Sequence, residues 1–472
     1  MDGYRISPLI DGNYRPAHTG EPIHTVRGES IGRLDFASDL LAGLTMNRLR
    51  AARPQPLATR LRVITDAARR IAEDTVDGLT PIAYARAQSA TSGTPLAVVT
   101  GFLEQVRPAA QQVAEIVSEE LTPQHYGPDR RVTVSVHRRG ELVTVLSPAN
   151  HPGVHVVLFE LVALGYKIIV RPSRRDPFTP ARIVRALIDA GLAEDTIALL
   201  PSTHEDAHRL VQGSDRAVVY GGPDIARRYE NRPDVLVQGP GNSKVLELPG
   251  ADHNQLTDLL ITSIADGGGG QCLNASAALV ADPAAQMHTV AAALDLLTIG
   301  RPDDATTQLP VFPLAQARSL AELAATVHGG QPGDHLVDLA DGSAALRPVI
   351  SIAPPEEPLR ATELPFPALR LHPTTLDLDP AGLGRTLSLA ILGGTPDQTT
   401  AYLAANNIRN VFTNGTPTTN FTPGAPHDGS IIDHLTERKT SNHPPADGGS
   451  QPSRRRYLSD GEPMGRSDNR LR

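Results

Sequence analysis

The chain reads as an α/β protein built on doubly wound sheets of the nucleotide-binding kind. Between Leu142 and Arg171 a strand, a crossover helix and a second strand follow one another, a βαβ unit that demands a parallel sheet. Two further short apolar runs, IALL and AVVY, continue the alternation of strand and helix beyond it. The length of 472 residues leaves room for two or three domains.

Taken in order, residues 1–20 read as an irregular lead. From Asp35 to about Glu119 apolar residues recur at helical spacing, with Pro54 and Pro56 separating two helices and Gly78 near the end of the second. RRVTVSVHRRGELVTVL alternates around Arg138-Arg139-Gly140, which predicts a β-hairpin or two linked strands. VHVVLFELVAL reads as a buried helix closed by Gly165, followed by the strand KIIV. The next helix is expected to start at Thr179 as N-cap with Pro180 behind it, and to stop at Gly191. Further on come a helix, the run Asp266-Gly267-Gly268-Gly269-Gly270-Gln271-Cys272 and the strand ASAALVA. After residue 410 the strand NVFTN and the turn-rich TPGAPHDG lead to a short helix, SIIDHLTERK, and residues 441–472 read as disordered.

Composition narrows the chemistry. A net charge of −8 argues against a broad nucleic-acid surface, so no nucleic-acid partner is expected. Hydrophobic residues make up 40% and the mean hydropathy is −0.20, yet no run approaches the length of a membrane span. No signal-peptide core opens the chain, and a cytoplasmic protein is expected. One cysteine can build neither an intramolecular disulfide nor a cysteine-based metal cluster, so no metal site is expected. Of the 44 basic residues only Lys167, Lys244 and Lys439 are lysine, which makes any single arginine a weak signal.

The single cysteine follows four glycines and a glutamine. Glycines let the backbone approach a ligand closely and adopt positive φ. Cys272 is therefore either a nucleophile at the floor of a cleft or a small buried hydrophobe. The motif around it resembles the nucleophile element of the aldehyde dehydrogenase superfamily, and further landmarks stand in order. Ser147-Pro148-Ala149-Asn150-His151-Pro152 is similar to that family's P-W-N-F-P, and Arg171-Pro172-Ser173-Arg174 to its K-P-S-E. Tyr220-Gly221-Gly222-Pro223 stands for F-T-G-S and Thr362-Glu363-Leu364-Pro365-Phe366-Pro367 for E-E-I-F-G-P.

The resemblance, over residues 20–440, implies a covalent mechanism. Cys272 is the nucleophile, the Asn150 amide steadies the oxyanion, and Gln238 stands where a hydrolytic member carries its general-base Glu. Glu247-Leu248-Pro249-Gly250 resembles that E-L-G-G element more closely, but it lies too near Cys272 in sequence. An amide cannot take a proton from water, so hydrolysis is expected to be weak. Gln238-Gly239-Pro240-Gly241-Asn242 resembles the G-P-G-N element of the CoA-acylating branch, and other segments resemble its acyl-CoA reductase members. The implied reaction is reduction of an acyl thioester, on CoA or an acyl-carrier protein, to an aldehyde. Hydrolytic oxidation of an aldehyde to an acid, and a non-catalytic binding role, are the alternatives.

The implied cofactor is NADP or NAD, held by Pro148, Arg171, Pro172, Ser173, Arg174, Gly221, Gly222, Gly239 and Phe366. Arg174 in place of an acidic residue favours a 2′-phosphate, unless it is one more arginine in an arginine-rich chain. Pro223 in place of a Ser, and a nicotinamide-ribose Glu that is either Glu363 or lost to Leu364, cut against a tight grip. His151 either polarises the cysteine or packs, and His427 is either near the substrate or a turn residue. The resemblance further implies two doubly wound domains with a β-strand oligomerisation flap. Residues 1–128 and 144–242 are expected to bind the cofactor, and 243–408 to form the catalytic domain. Residues 129–143 and 409–440 would build a flap that pairs in a homodimer or homotetramer.

Overall fold

A computed structural model describes residues 3–127, 130–354, 357, 359, 362–374 and 378–442. The tail expected to be disordered lies outside these residues, except Asn442 and Ser441, which ends a strand.

Two parallel sheets organise the chain. The first has seven strands in the spatial order Val235–Gln238, Arg216–Tyr220, Leu142–Leu146, Lys167–Arg171, Ile197–Leu199, Leu9–Ile10 and Asn13–Tyr14. Its first five strands are parallel, and the last two add an antiparallel edge. The chain order reverses between Leu142–Leu146 and Arg216–Tyr220, and a doubly wound sheet opens a ligand crevice at such a reversal, beyond the carboxyl ends of its strands. The expected βαβ unit is present: the helix Val157–Leu164, entirely buried and closed by Gly165, joins the two central strands. The second sheet is parallel throughout, in the order Val349–Ile352, Ala368–Pro373, Ala275–Val280, Ser243–Glu247, Thr386–Leu392 and Ile408–Phe412.

The last parallel strand of the first sheet, Val235–Gln238, runs through Gly239–Asn242 straight into the strand Ser243–Glu247 of the second. The first sheet thus presents carboxyl ends, and the second amino ends, to one cleft.

Several expectations change. The lead is not irregular: Tyr4–Ile6 and Gly20–His24 flank Ser30–Asp35 in a small sheet, and Leu9–Ile10 and Asn13–Tyr14 join the first large one. These strands are too short for alternation to reveal. Val132–Arg138 makes no hairpin with Leu142–Leu146, which enters the seven-stranded sheet. It pairs instead with Thr436–Ser441 and Gln124–Tyr126. The segment read as one short helix near the C-terminus is a helix only over Ile431–Leu435 and a strand afterwards. Ile408–Phe412 belongs to the second sheet and Thr436–Ser441 pairs with Val132–Arg138, so the stretch 409–440 is divided between two sheets. The helix expected to be capped by Thr179 is Phe178–Asp189, and the Asp176 carboxylate accepts the Thr179 N–H at 2.9 Å.

Helices Leu57–Glu73, Leu96–Glu120, Val157–Leu164 and Phe178–Asp189 share the largest core with the first sheet. Buried Arg182 links them. Its guanidinium lies over the Tyr84 ring at 5.1 Å and donates to the carbonyls of Ile71, Asp74 and Leu79 at 2.7–3.0 Å. Two of these carbonyls end the helix Leu57–Glu73, where no intrahelical donor remains. Arg182→Ala strands the Ile71 and Asp74 carbonyls, while Leu79 keeps the Val76 N–H, and should cost about 2–3 kcal/mol in denaturant unfolding. Arg182→Lys should recover only part of that, because a point cation cannot fork to three carbonyls.

Candidate active site

A cleft of about 1830 Å³ lies between the two sheets, lined by Ser147–His151, Gly221–Pro223, Gln238–Pro240, Gly270–Leu273 and Thr362–Pro365. That exceeds the volume one small ligand needs and has room for two side by side.

Cys272 stands just before the strand Ala275–Val280 and is partly exposed to the cleft. Its loop requires glycine, because Gly267, Gly268 and Gly269 have φ of 62°, 80° and 74°. Asn274 ties this loop down: its side chain accepts the Gln271 N–H at 2.8 Å and donates to the carbonyls of Ser263 and Asp266 at 3.3 and 3.0 Å. From the other side Ser243 Oγ donates to the Cys272 carbonyl at 3.0 Å. Gly241 approaches so closely that a Cβ there would lie 2.0 Å from that oxygen. The G-P-G-N turn is therefore packed directly on the Cys272 backbone.

Burial pushes the Cys272 thiol up to about 12, helped by the Glu363 and Asp428 carboxyls and opposed by the N–H groups of Cys272 and Leu273. At rest the sulfur is a thiol. Iodoacetamide should label the ligand-free chain at pH 8 about 10³-fold more slowly than a free cysteine, and tenfold faster per pH unit above that. A pH-independent rate, followed by mass spectrometry, would show a thiolate and contradict this environment.

Asn150 lines the cleft on the turn after Leu142–Leu146, and its Nδ2 donates to the Gly270 carbonyl of the cysteine loop at 3.2 Å. One amide hydrogen remains for another acceptor. His151 is not poised to take a proton. Its Nδ1 accepts the Gly153 N–H at 3.0 Å, capping the short helix Pro152–Val156, and burial holds it at about 4. His427 lines the cleft edge-on to Phe421, with burial lowering its pKa.

Gln238 ends its strand in the cleft and donates to the Asp428 carbonyl at 3.0 Å. Asp428 also accepts the Gly239 N–H at 3.3 Å and pairs with Arg385 at 3.0 Å. Glu247 lies at the far end of the second sheet, accepting from the Ala281 N–H, and is outside the cleft. Glu363 lines the cleft and accepts the Asn242 N–H. Burial pushes its carboxyl up to about 7, against the pull of the Asn242 and Gly241 amides and of Lys244 and Arg385. Leu364 beside it is buried and apolar.

Of the residues expected to hold a cofactor, Pro148, Arg171, Ser173, Gly221, Gly222 and Gly239 line the cleft. Pro172, Arg174 and Phe366 do not. Arg174 lies outside that lining, paired with Glu21 at 2.9 Å and stacked over Phe36. Phe366 is fully buried in the core with Phe312 and Leu364. Pro223 is the first residue of the helix Pro223–Tyr229, a position that needs no N–H for the helix itself. Arg171 is buried, donates to the Ser202 carbonyl at 3.0 Å, and is lowered to about 10 by burial and the charge of Arg174.

Three buried donors on the cleft wall, Ser147 Oγ, Arg171 Nε and Arg175 Nε, have no partner among the described residues. They sit at or just beyond the carboxyl ends of neighbouring strands, where a dinucleotide's ribose and phosphate oxygens supply acceptors. Sequence reasoning missed Ser147, Arg175, Asn274, Arg385, Asp428 and Glu160. Only Glu160 carried a visible signal, as the one charge in an otherwise apolar helix.

A doubly wound sheet of the nucleotide-binding kind, facing a second sheet that presents a thiol, defines the class of this protein. The chain belongs to the aldehyde dehydrogenase family, whose model matches residues 23–347. It is 26% identical over 300 residues to N-succinylglutamate 5-semialdehyde dehydrogenase of Sphingopyxis alaskensis, covering 60% of this chain and 62% of the relative. The Caulobacter enzyme of the same name is 27% identical over 178 residues, 35% and 36% of the two chains. The chain thus spans about a third and three fifths of the lengths of these relatives.

Among solved structures, the aldehyde dehydrogenase KauB from Pseudomonas aeruginosa superposes with a TM-score of 0.80 at 16% identity, covering 93% and 97% of the chains. The P. syringae indole-3-acetaldehyde dehydrogenase AldA, in complex with NAD+ and IAA, gives 0.79 at 17%, covering 92% and 96%. At such identities the likeness speaks for the fold.

Proposed function

We propose that this chain oxidises an aldehyde to its acid with NAD(P)+, through a thioester on Cys272. The observation that carries the reading is that Cys272 and Asn150 line one cleft, Asn150 being bonded to Gly270 two residues before the cysteine, beside unpartnered donors at the switch point of the first sheet. Cys272 gives up its thiol proton to solvent as Sγ bonds to the aldehyde carbon, and the free Asn150 amide hydrogen steadies the oxyanion that forms. Ser147, Arg171 and Arg175 hold the dinucleotide, which when bound supplies the acceptor for the aldehyde hydride. Water then releases the acid.

The relatives carry the names of aldehyde dehydrogenases, so the oxidative direction takes precedence over thioester reduction. The second reading, reduction of an acyl thioester, rests on Gln238 standing without a carboxylate. Purified chain with an aldehyde panel and either NAD+ or NADP+, without added thiol, decides between them. Cofactor reduction with acid formation is expected. Activity confined to acyl-CoA plus reduced cofactor would reverse the direction. With Arg174 committed to Glu21, no marked preference for NADP+ over NAD+ is expected.

The three-stranded flap leaves Tyr126 and Val132 exposed, 51% and 37%, and the outer edges of its two outer strands unpaired among the described residues. A second copy would cover it, and sedimentation at micromolar concentration should give a dimer or tetramer.

A further inference from the structure

The helix Val157–Leu164 is buried along its whole length and carries one charged residue, Glu160. That side chain is 5% exposed, lines the cleft, and makes no hydrogen bond or ion pair with the described residues. Leaving a carboxyl unpaired in such a place costs several kcal/mol if it is ionised, and packing alone would be served better by leucine. Tyr220, which also lines the cleft, lies within electrostatic reach of both the Glu160 carboxyl and the Cys272 thiol.

The other candidate acids are committed, remote or exposed. Glu363 accepts the amides of Asn242 and Gly241, Asp428 is held by Arg385 and Gly239, and Glu247 is remote. Asp266 is exposed at the rim. Gln238 cannot accept a proton from water.

We propose that Glu160 is the general base that cleaves the acyl thioester on Cys272, the task Gln238 cannot perform; this rests on the oxidative reading above. The carboxylate takes one proton from a water as its oxygen bonds to the thioester carbon. The carbon–sulfur bond then breaks and Glu160 returns the proton to the departing Sγ. The products are the acid and a Cys272 thiol, with Glu160 restored. Burial pushes the Glu160 carboxyl up to about 8, a basicity suited to this transfer.

The test is rapid mixing of the full chain with aldehyde and NAD(P)+, comparing native chain with Glu160→Gln. The variant should still form one reduced cofactor per chain in the first turnover, then turn over ~10²–10⁴-fold more slowly. Mass spectrometry should find the acyl group on Cys272. Hydroxylamine, a nucleophile that needs no such base, should restore turnover. Glu160→Asp, which keeps a carboxyl, should retain partial activity and serves if the Gln variant misfolds. Unchanged steady-state turnover in Glu160→Gln overturns the assignment, and so does an equal loss of the first turnover without trapped acyl group. A native chain that reduces no cofactor with any aldehyde overturns the oxidative reading itself.

Discussion

Replacing Cys272 by alanine is expected to remove aldehyde-dependent cofactor reduction by ~10⁴-fold or more, the scale of losing a covalent nucleophile. No second thiol exists to substitute for it. The fold should survive the change. The backbone there is set by three positive-φ glycines, and by bonds from Asn274 and the Ser243 hydroxyl to main-chain atoms. Unfolding midpoints of native and variant chains should therefore agree closely while activity vanishes. Residual activity near the native level would move the chemistry off Cys272.

Asn150→Ala should lower kcat by ~10²–10³-fold, as for the loss of one oxyanion donor. Its effect on stability should be about 1 kcal/mol at most, because a single half-exposed bond to Gly270 is lost. Asn150→Asp should be at least as damaging, since a carboxylate would face the developing negative charge. If Asn150 were only a turn residue, the Asp variant would be nearly silent, because Asp suits turns as well as Asn does. Steady-state kinetics on the two variants, beside thermal scans, separate these outcomes.

Much of the scaffold was legible because its signals are local. The strand, buried helix and strand from Leu142 to Arg171, the closing Gly165 and the glycine run before Cys272 are each written within a few residues. The partners of those elements were not. Alternation marks Val132–Arg138 as a strand, but nothing in it says that the other half of the pairing waits at Thr436–Ser441. A nearby strand was the natural guess and the wrong one. Arg174 shows the same limit at the site. A cation in a motif position looks available for a phosphate until the fold brings Glu21 beside it.

The α/β alternation, the single thiol available for covalent chemistry and the amide at Gln238 that cannot act as a base can all be read from the residues alone. These follow from periodicity, from residue counts and from functional-group chemistry, which need no coordinates. Which charged groups are free depends on the folded arrangement. Burial and partners are set by segments far apart in the chain, and they bind Arg174, Glu363 and Asp428 while leaving Glu160 unpaired in the cleft.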